Sequence, residues 1–283
     1  MNATEQLASY LRETRLLGTS MRLLEWDQET LMPAAATPLR AEQLALLTGL
    51  LHERNTSDEL GELIDRAEDG PMAREARYDY ERQTKIPADL AKERSLKTAL
   101  SRQAWIESRK ADDFAHFQPH LEQQVELMIR WADAIGYESD PYDALVGDYE
   151  PGETVATMDE LLAPLREMSA DLLARILDSG VQMDGSFIRR PYPVEKQEQL
   201  GRMVAAAFGF DFDRGRLDVT AHPFCSGMFP TDVRLTTRYE EGYMADALYS
   251  TLHEAGHGMY EQGLPEDQFG NPLGDASGMA MHE

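Results

Sequence analysis

His253, Glu254 and His257 lie in the run His-Glu-Ala-Gly-His, the pattern HExxH. Residues four apart on an α-helix project from one face a turn apart, so this spacing lets two imidazole nitrogens meet on one tetrahedral metal ion. Glu254 then stands beside the ion, where its carboxylate can take a proton from activated water and pass it to a leaving amine. The chemistry implied is metal-assisted hydrolysis of an amide. Chance alone yields HExxH in on the order of one in fifty to one in a hundred chains of this length, so two ordinary hydrogen-bonded histidines are the competing reading. A catalytic zinc site generally has three protein ligands and keeps a fourth position for water. A second His-Glu pair, His282-Glu283, follows a Gly/Pro-rich stretch (263–274) and a run of mostly small residues (275–281). That run suits a second helix packed across the first, bringing a carboxylate in from another direction. Spacing does not choose between His282 and Glu283, and it leaves Glu261, Glu266 and Asp275 open.

The HExxH segment needs a helix, and helical signals run from about Gly242 to Gln262, with Gly263 and Pro265 ending them. Leu248, Leu252, Ala255 and Met259 form an apolar stripe that can face a core while the histidines face a cavity. Upstream, residues 4–208 read as helical almost throughout. Leu121, Val125, Met128, Ile129, Ala132 and Ile135 recur at helical spacing, as do Met158, Leu161, Leu165, Met168, Leu172 and Ile176. Breaks are expected at Met32-Pro33, Gly70-Pro71, Ile86-Pro87, Asp140-Pro141, Glu150-Pro151-Gly152 and Pro191 to Pro193. Between Phe210 and Tyr239 the pattern changes, and segments 216–220 and 232–238 suit short strands. With no repeat or long linker, residues 1–283 read as one mainly α domain with a small β-sheet before the HExxH helix.

The chain has 283 residues, 42% of them hydrophobic and 28% charged, the balance of a globular protein. Its formal net charge of −24 repels phosphate backbones and anionic lipid surfaces, so nucleic acid and membrane are not expected partners. No apolar run reaches the roughly 18 residues that a membrane-spanning helix needs, and the N-terminus has no basic-then-apolar pattern. The single Cys225 cannot form an internal disulfide, in keeping with a cytoplasmic protein.

The segment HEAGHGMYEQG (His253 to Gly263) with its downstream His-Glu pair resembles the carboxypeptidase Taq family of zinc metallocarboxypeptidases. Further segments resemble family signatures in the same order: 26–33 (WDQETLMP), 142–152 (YDALVGDYEPG), His222-Pro223-Phe224 and 232–236 (DVRLT). The resemblance implies a multi-helix, gluzincin-like fold with a deep groove, and stepwise removal of C-terminal residues from peptides with a free C-terminus. It implies His253, His257 and Glu283 as metal ligands and Glu254 as general base. It also implies one zinc ion (Zn2+), or cobalt (Co2+), per chain, and a homodimer when full length. His222 and Arg234 lie in segments linked to the substrate groove and Arg238 follows two residues after the second; an arginine's planar fork suits a terminal carboxylate, so Arg234 and Arg238 are candidates to bind it. Against this, Arg234 could tie Asp232 into the sheet, and His222 could be a structural histidine. Trp26, Tyr142 and Tyr149 read as packing residues, and Asp246 as part of a solvated helix face. Relatives continue beyond the position of Glu283 with Ser and Gln, so the chain is expected to be a C-terminally incomplete piece. Gly278 stands where many relatives carry Ser. An endo-acting oligopeptidase with the same metal chemistry, or a non-catalytic helical scaffold, are the alternatives.

Overall fold

In the computed structural model, residues 1–276 and 278–283 are described. Helix α1 (Ala3–Thr30) begins with a reciprocal cap, in which the Asn2 side chain accepts the Glu5 amide and Glu5 accepts the Asn2 amide. It is followed by α2 (Thr37–Asn55), α3 (Asp58–Arg66), α4 (Pro71–Gln83), α5 (Ala88–Ala111) and α6 (Phe114–Ile135). Then come α7 (Pro141–Val146), α8 (Val155–Asp178) and α9 (Val194–Phe208). The expected breaks coincide with these boundaries. Pro71 and Pro141 open their helices, where a missing N–H costs nothing, and Pro87 and Pro193 stand immediately before theirs. The break between α5 and α6 has no Gly or Pro; Asp112 makes it in a left-handed conformation (φ 52°).

Three strands follow: β1 (Gly215–Val219), β2 (Cys225–Phe229) and β3 (Asp232–Thr237). They lie in the order β1-β3-β2, with β1 parallel and β2 antiparallel to β3, and a register shift between Gly227 and Phe229. β1 and β3 match expectation. β2 does not announce itself, because Cys-Ser-Gly-Met-Phe lacks β-branched residues and alternation. Helix α10 (Met244–Gln262) packs on the sheet and on α9, and the short α11 (Met279–His282) ends the chain. Among the described residues no helix is long and apolar enough to cross a membrane.

The core is divided. One cluster joins Leu90 of α5 to Leu127, Trp131 and Ile135 of α6. A second joins Leu7 of α1 to Leu60 and Ile64 of α3. A third lies under the HExxH helix and holds Ala205, Phe210, Leu217, Val233, Leu235 and Ala255. Burying each large aliphatic or aromatic side chain contributes roughly 1.5–3 kcal/mol, so the third cluster is what presses α10 against the sheet.

Two stripes form helices, but that of α8 finds no partner among the described residues and that of α6 finds one only at its C-terminal end. No residue of α8 is buried, and Leu161 is 69% and Met168 63% exposed. On α6, Ala132 and Ile135 are buried while Leu121, Val125 and Ile129 face outward. The helical state of α8 follows from local terms such as the Thr154 cap, whereas burial of its apolar stripe needs a neighbour. Trp26 is buried between the guanidinium groups of Arg216 and Arg234, at 4.9 and 4.3 Å from its ring, the packing role expected of it. Tyr142 and Tyr149, expected to pack as well, are 60% and 56% exposed.

Candidate metal centre

Helix α10 sets the geometry. Its buried residues are Ala245, Ala247, Thr251, Glu254, Ala255, His257, Gly258 and Gln262. The expected stripe through Leu248, Leu252, Ala255 and Met259 is therefore corrected: Leu248 and Leu252 are only half-buried, and the buried face runs through small residues. The reason is close approach. A Cβ at Gly258 would stand 2.6 Å from the Phe210 ring and 2.8 Å from Leu235, so only glycine lets the helix lie this near the sheet. The helix ends where Gly263 returns its amide to the carbonyls of Met259 and Tyr260.

On the opposite side of α10 the Nε2 atoms of His253 and His257 face each other at 3.1 Å. One Glu283 carboxylate oxygen lies 3.7 Å from each of them. These residues offer three donor atoms that all lie within 4.8 Å of one another. Ligand bonds of about 2.0–2.1 Å around a tetrahedral ion would hold donors about 3.3 Å apart, so this spacing fits a divalent ion with an N2O donor set. His257 is buried, and its Nδ1 lies 2.9 Å from the backbone carbonyl of His282. A carbonyl only accepts, so the ring proton sits on Nδ1 and Nε2 presents its lone pair to the site. Burial, with the neighbouring His282 and His253, lowers the His257 pKa against the opposing pull of Glu283, which favours the neutral, ligating form.

Glu254 is 6% exposed, and its carboxyl is pushed up to about 7, first by burial and then by Glu283, with His253 opposing. A group poised near neutrality can both take and release a proton under ordinary conditions.

The open alternatives for a third donor lie away from the two histidine Nε2 atoms or are paired elsewhere. Glu266 pairs with Arg214 at 3.0 Å and Asp275 with Arg15 of α1, while His282 Nε2 is buried without a hydrogen-bond partner among the described residues, its nearest carboxylate being Glu261 at 3.6 Å. Arg12 of the same helix donates to the Phe269 carbonyl at 3.2 Å, so α1 ties down the stretch between α10 and α11 at two points.

Of the residues linked to substrate, His222 is exposed in the wall of a cavity of about 690 Å³ that is also lined by Trp26, Glu29, His52, Arg102 and Phe224. Arg234 is held by Asp232 through two hydrogen bonds of 2.8 and 2.9 Å. Arg238 donates from Nη2 to Asp246 at 2.7 Å, which gives Asp246 a partner where a solvated face was expected. Cys225 lies near Glu254 and Glu261, and burial followed by these two charges pushes its thiol up, so it stays protonated. Glu150 and Glu261 contact α11, and the sequence gives no sign of these contacts: Glu150 reads there only as part of a helix break and Glu261 as an open alternative for the third donor.

The family model described as carboxypeptidase Taq (M32) metallopeptidase matches residues 6–283. Thermostable carboxypeptidase 1 of Thermus thermophilus is 39% identical over 301 residues, covering 99% of this chain and 59% of the relative. Carboxypeptidase 1 of Bacillus subtilis is 38% identical, covering 93% of this chain and 54% of the relative. The crystal structure of BsuCP is similar with a TM-score of 0.94 at 36% identity, over 99% of this chain and 58% of that one. The chain thus spans a little over half the length of these relatives. A mainly α fold with a small sheet, and a sequence matched almost from end to end, place the chain in the carboxypeptidase Taq (M32) metallopeptidase family.

Proposed function

We propose that the protein is a metallocarboxypeptidase that removes C-terminal residues from peptides, with His253, His257 and Glu283 holding one Zn2+ (or Co2+) and Glu254 acting as general base. The observation that carries this reading is the convergence of three donor atoms, 3.1 to 3.7 Å apart, beside a buried carboxyl. A divalent ion in such a set supplies Lewis acidity that polarises a peptide carbonyl and acidifies water. The protein's own groups do the rest. His257, neutral and fixed in tautomer by the His282 carbonyl, keeps its Nε2 directed at the site. Glu254 takes the proton of the attacking water and delivers it to the amine that leaves.

His222, exposed in the wall of the cavity it shares with Trp26 and Arg102, is the residue we assign to contact with the peptide. Arg238 is 40% exposed and gives only Nη2 to Asp246, so it keeps donors for a terminal carboxylate, whereas the fork of Arg234 is closed by Asp232. Because the matched relatives are longer and α8 has an uncovered apolar stripe, we read residues 1–283 as one part of a domain that further chain completes, with a homodimer as the assembled form. Sequencing past the codon for Glu283 tests the first point.

The reaction is tested on the product of the complete gene. Peptides with a free C-terminus are expected to lose residues one at a time, and the same peptides amidated at the C-terminus are expected to resist. Equal cleavage of both would replace carboxypeptidase action with endo-acting cleavage. About one zinc or cobalt per chain is expected by elemental analysis, and a metal-free but folded protein would remove the enzymatic reading.

A further inference from the structure

The third donor sits on an element with little to hold it. Helix α11 has four residues, none buried, and Met279 and Met281 are exposed. A single turn does not persist in water on its own, so its position must come from contacts with the rest of the fold. Two side chains provide them from different directions.

On one side, Glu150 Oε2 accepts the Ala280 amide at 2.9 Å, and the neighbouring Tyr149 carbonyl accepts the Met279 amide at 3.1 Å. Both belong to the segment between α7 and α8, about 130 residues away in the chain. Gly278 fits this arrangement: a Cβ there would stand 2.9 to 3.1 Å from the Glu150 carboxylate. On the other side, Glu261 lies one turn after His257 on α10, and its Oε1, at 3.6 Å, is the carboxylate oxygen nearest to His282 Nε2, a buried nitrogen with no hydrogen-bond partner among the described residues. The His282 ring stacks over His257 at 4.5 Å, with Tyr260 edge-on at 5.2 Å. The His282 carbonyl in turn accepts from His257 Nδ1.

We propose that Glu150 and Glu261 are positioning residues for the metal centre, holding α11 between them so that Glu283 meets the two histidines and the His282 carbonyl orients His257. This rests on the reading of His253, His257 and Glu283 as the metal ligands. Moving α11 would disturb two donors at once: it displaces the Glu283 carboxylate and frees the His257 ring. Outer residues that orient ligands typically control metal affinity by about 10- to 100-fold.

The test measures Zn2+ affinity of the full-length protein by competition with a chromophoric chelator, alongside the melting temperature of the metal-free protein. Glu150→Ala and Glu261→Ala are each expected to weaken binding by about 10- to 100-fold with little change in metal-free melting temperature. Glu150→Gln keeps an oxygen that can accept the Ala280 amide and is expected to stay within about threefold of the unsubstituted protein. Gly278→Ala, whose added methyl would stand 2.9 to 3.1 Å from the Glu150 carboxylate, is expected to reproduce the loss. In 15N spectra of the metal-free protein, the His257 tautomer is expected to become mixed in Glu150→Ala. Unchanged affinity in the alanine variants, while His257→Ala abolishes binding, would overturn the positioning role and leave the ligand set standing. Equal losses in Glu150→Ala and Glu150→Gln would overturn the amide contact as its basis. Absence of zinc binding by the unsubstituted protein would overturn the ligand set and this inference with it.

Discussion

His257 reaches the backbone of His282 with one ring nitrogen, at 2.9 Å, and faces His253 with the other, at 3.1 Å. The residue before Glu283 therefore sets the tautomer of His257, so the proposed ligands His257 and Glu283 are linked through the polypeptide itself.

Removing the base should separate binding from turnover. Glu254→Gln leaves His253, His257 and Glu283 in place, so metal content is expected to remain near one per chain while kcat falls by about 10²- to 10⁴-fold. Turnover within a few-fold of the unsubstituted enzyme would refute the role given to Glu254.

The same substitution should change how stability depends on pH in the metal-free protein. The folded Glu254 carboxyl titrates near 7 against 4.5 as the ordinary value. A raised carboxyl favours folding fully below about pH 4.5, and that contribution is lost as pH rises through 7. Metal-free Glu254→Gln is thus expected to match the unsubstituted protein near pH 4 and to exceed it near pH 8, by on the order of 3 kcal/mol at most. Denaturant melts at the two pH values check this; an equal difference at both would contradict the shift.

Gly258→Ala tests the seat of α10 on the sheet. The added methyl meets Phe210 and Leu235 well inside contact distance, and a loss of about 1–3 kcal/mol is expected from urea melts. Gly256 lies on the open side with nothing within 4 Å, so Gly256→Ala is expected to be neutral or slightly stabilising by its gain in helix propensity.

The proposal that further chain covers α8 predicts an effect that depends on the length of the protein. Leu165→Lys and Leu172→Lys are expected to change the stability of the chain of 283 residues by no more than about 0.5 kcal/mol, as surface substitutions do. In the product of the complete gene the same changes are expected to cost about 2–5 kcal/mol, the range for core positions. Equal, small effects in both would show that nothing covers this helix.

Much of this organisation is legible in the chain itself. Proline and capping residues act locally, so the helix boundaries at Pro71, Pro87, Pro141 and Pro193 could be read without the fold. HExxH on a helix places His253 and His257 on one face for the same reason. What resisted was whatever depends on a distant surface. The buried face of α10 follows Ala247, Thr251, Ala255 and Gly258 because the sheet lies too near for leucine, a fact of packing that hydrophobic spacing does not carry. β2 gains strand geometry by pairing with β3 and not from its own composition. Spacing left five candidates for the third donor, and only the resemblance singled out Glu283. Glu150 meets Ala280 across 130 residues of chain, beyond the reach of any local pattern.

The contacts from Arg12 and Arg15 to Phe269 and Asp275 tie the first helix to the stretch that leads to Glu283, and so to the proposed metal site. Any tag, cleavage or truncation that loosens the opening turns would slacken the stretch leading to Glu283. Its earliest symptom would be a weaker hold on the ion, in a protein whose bulk remained folded.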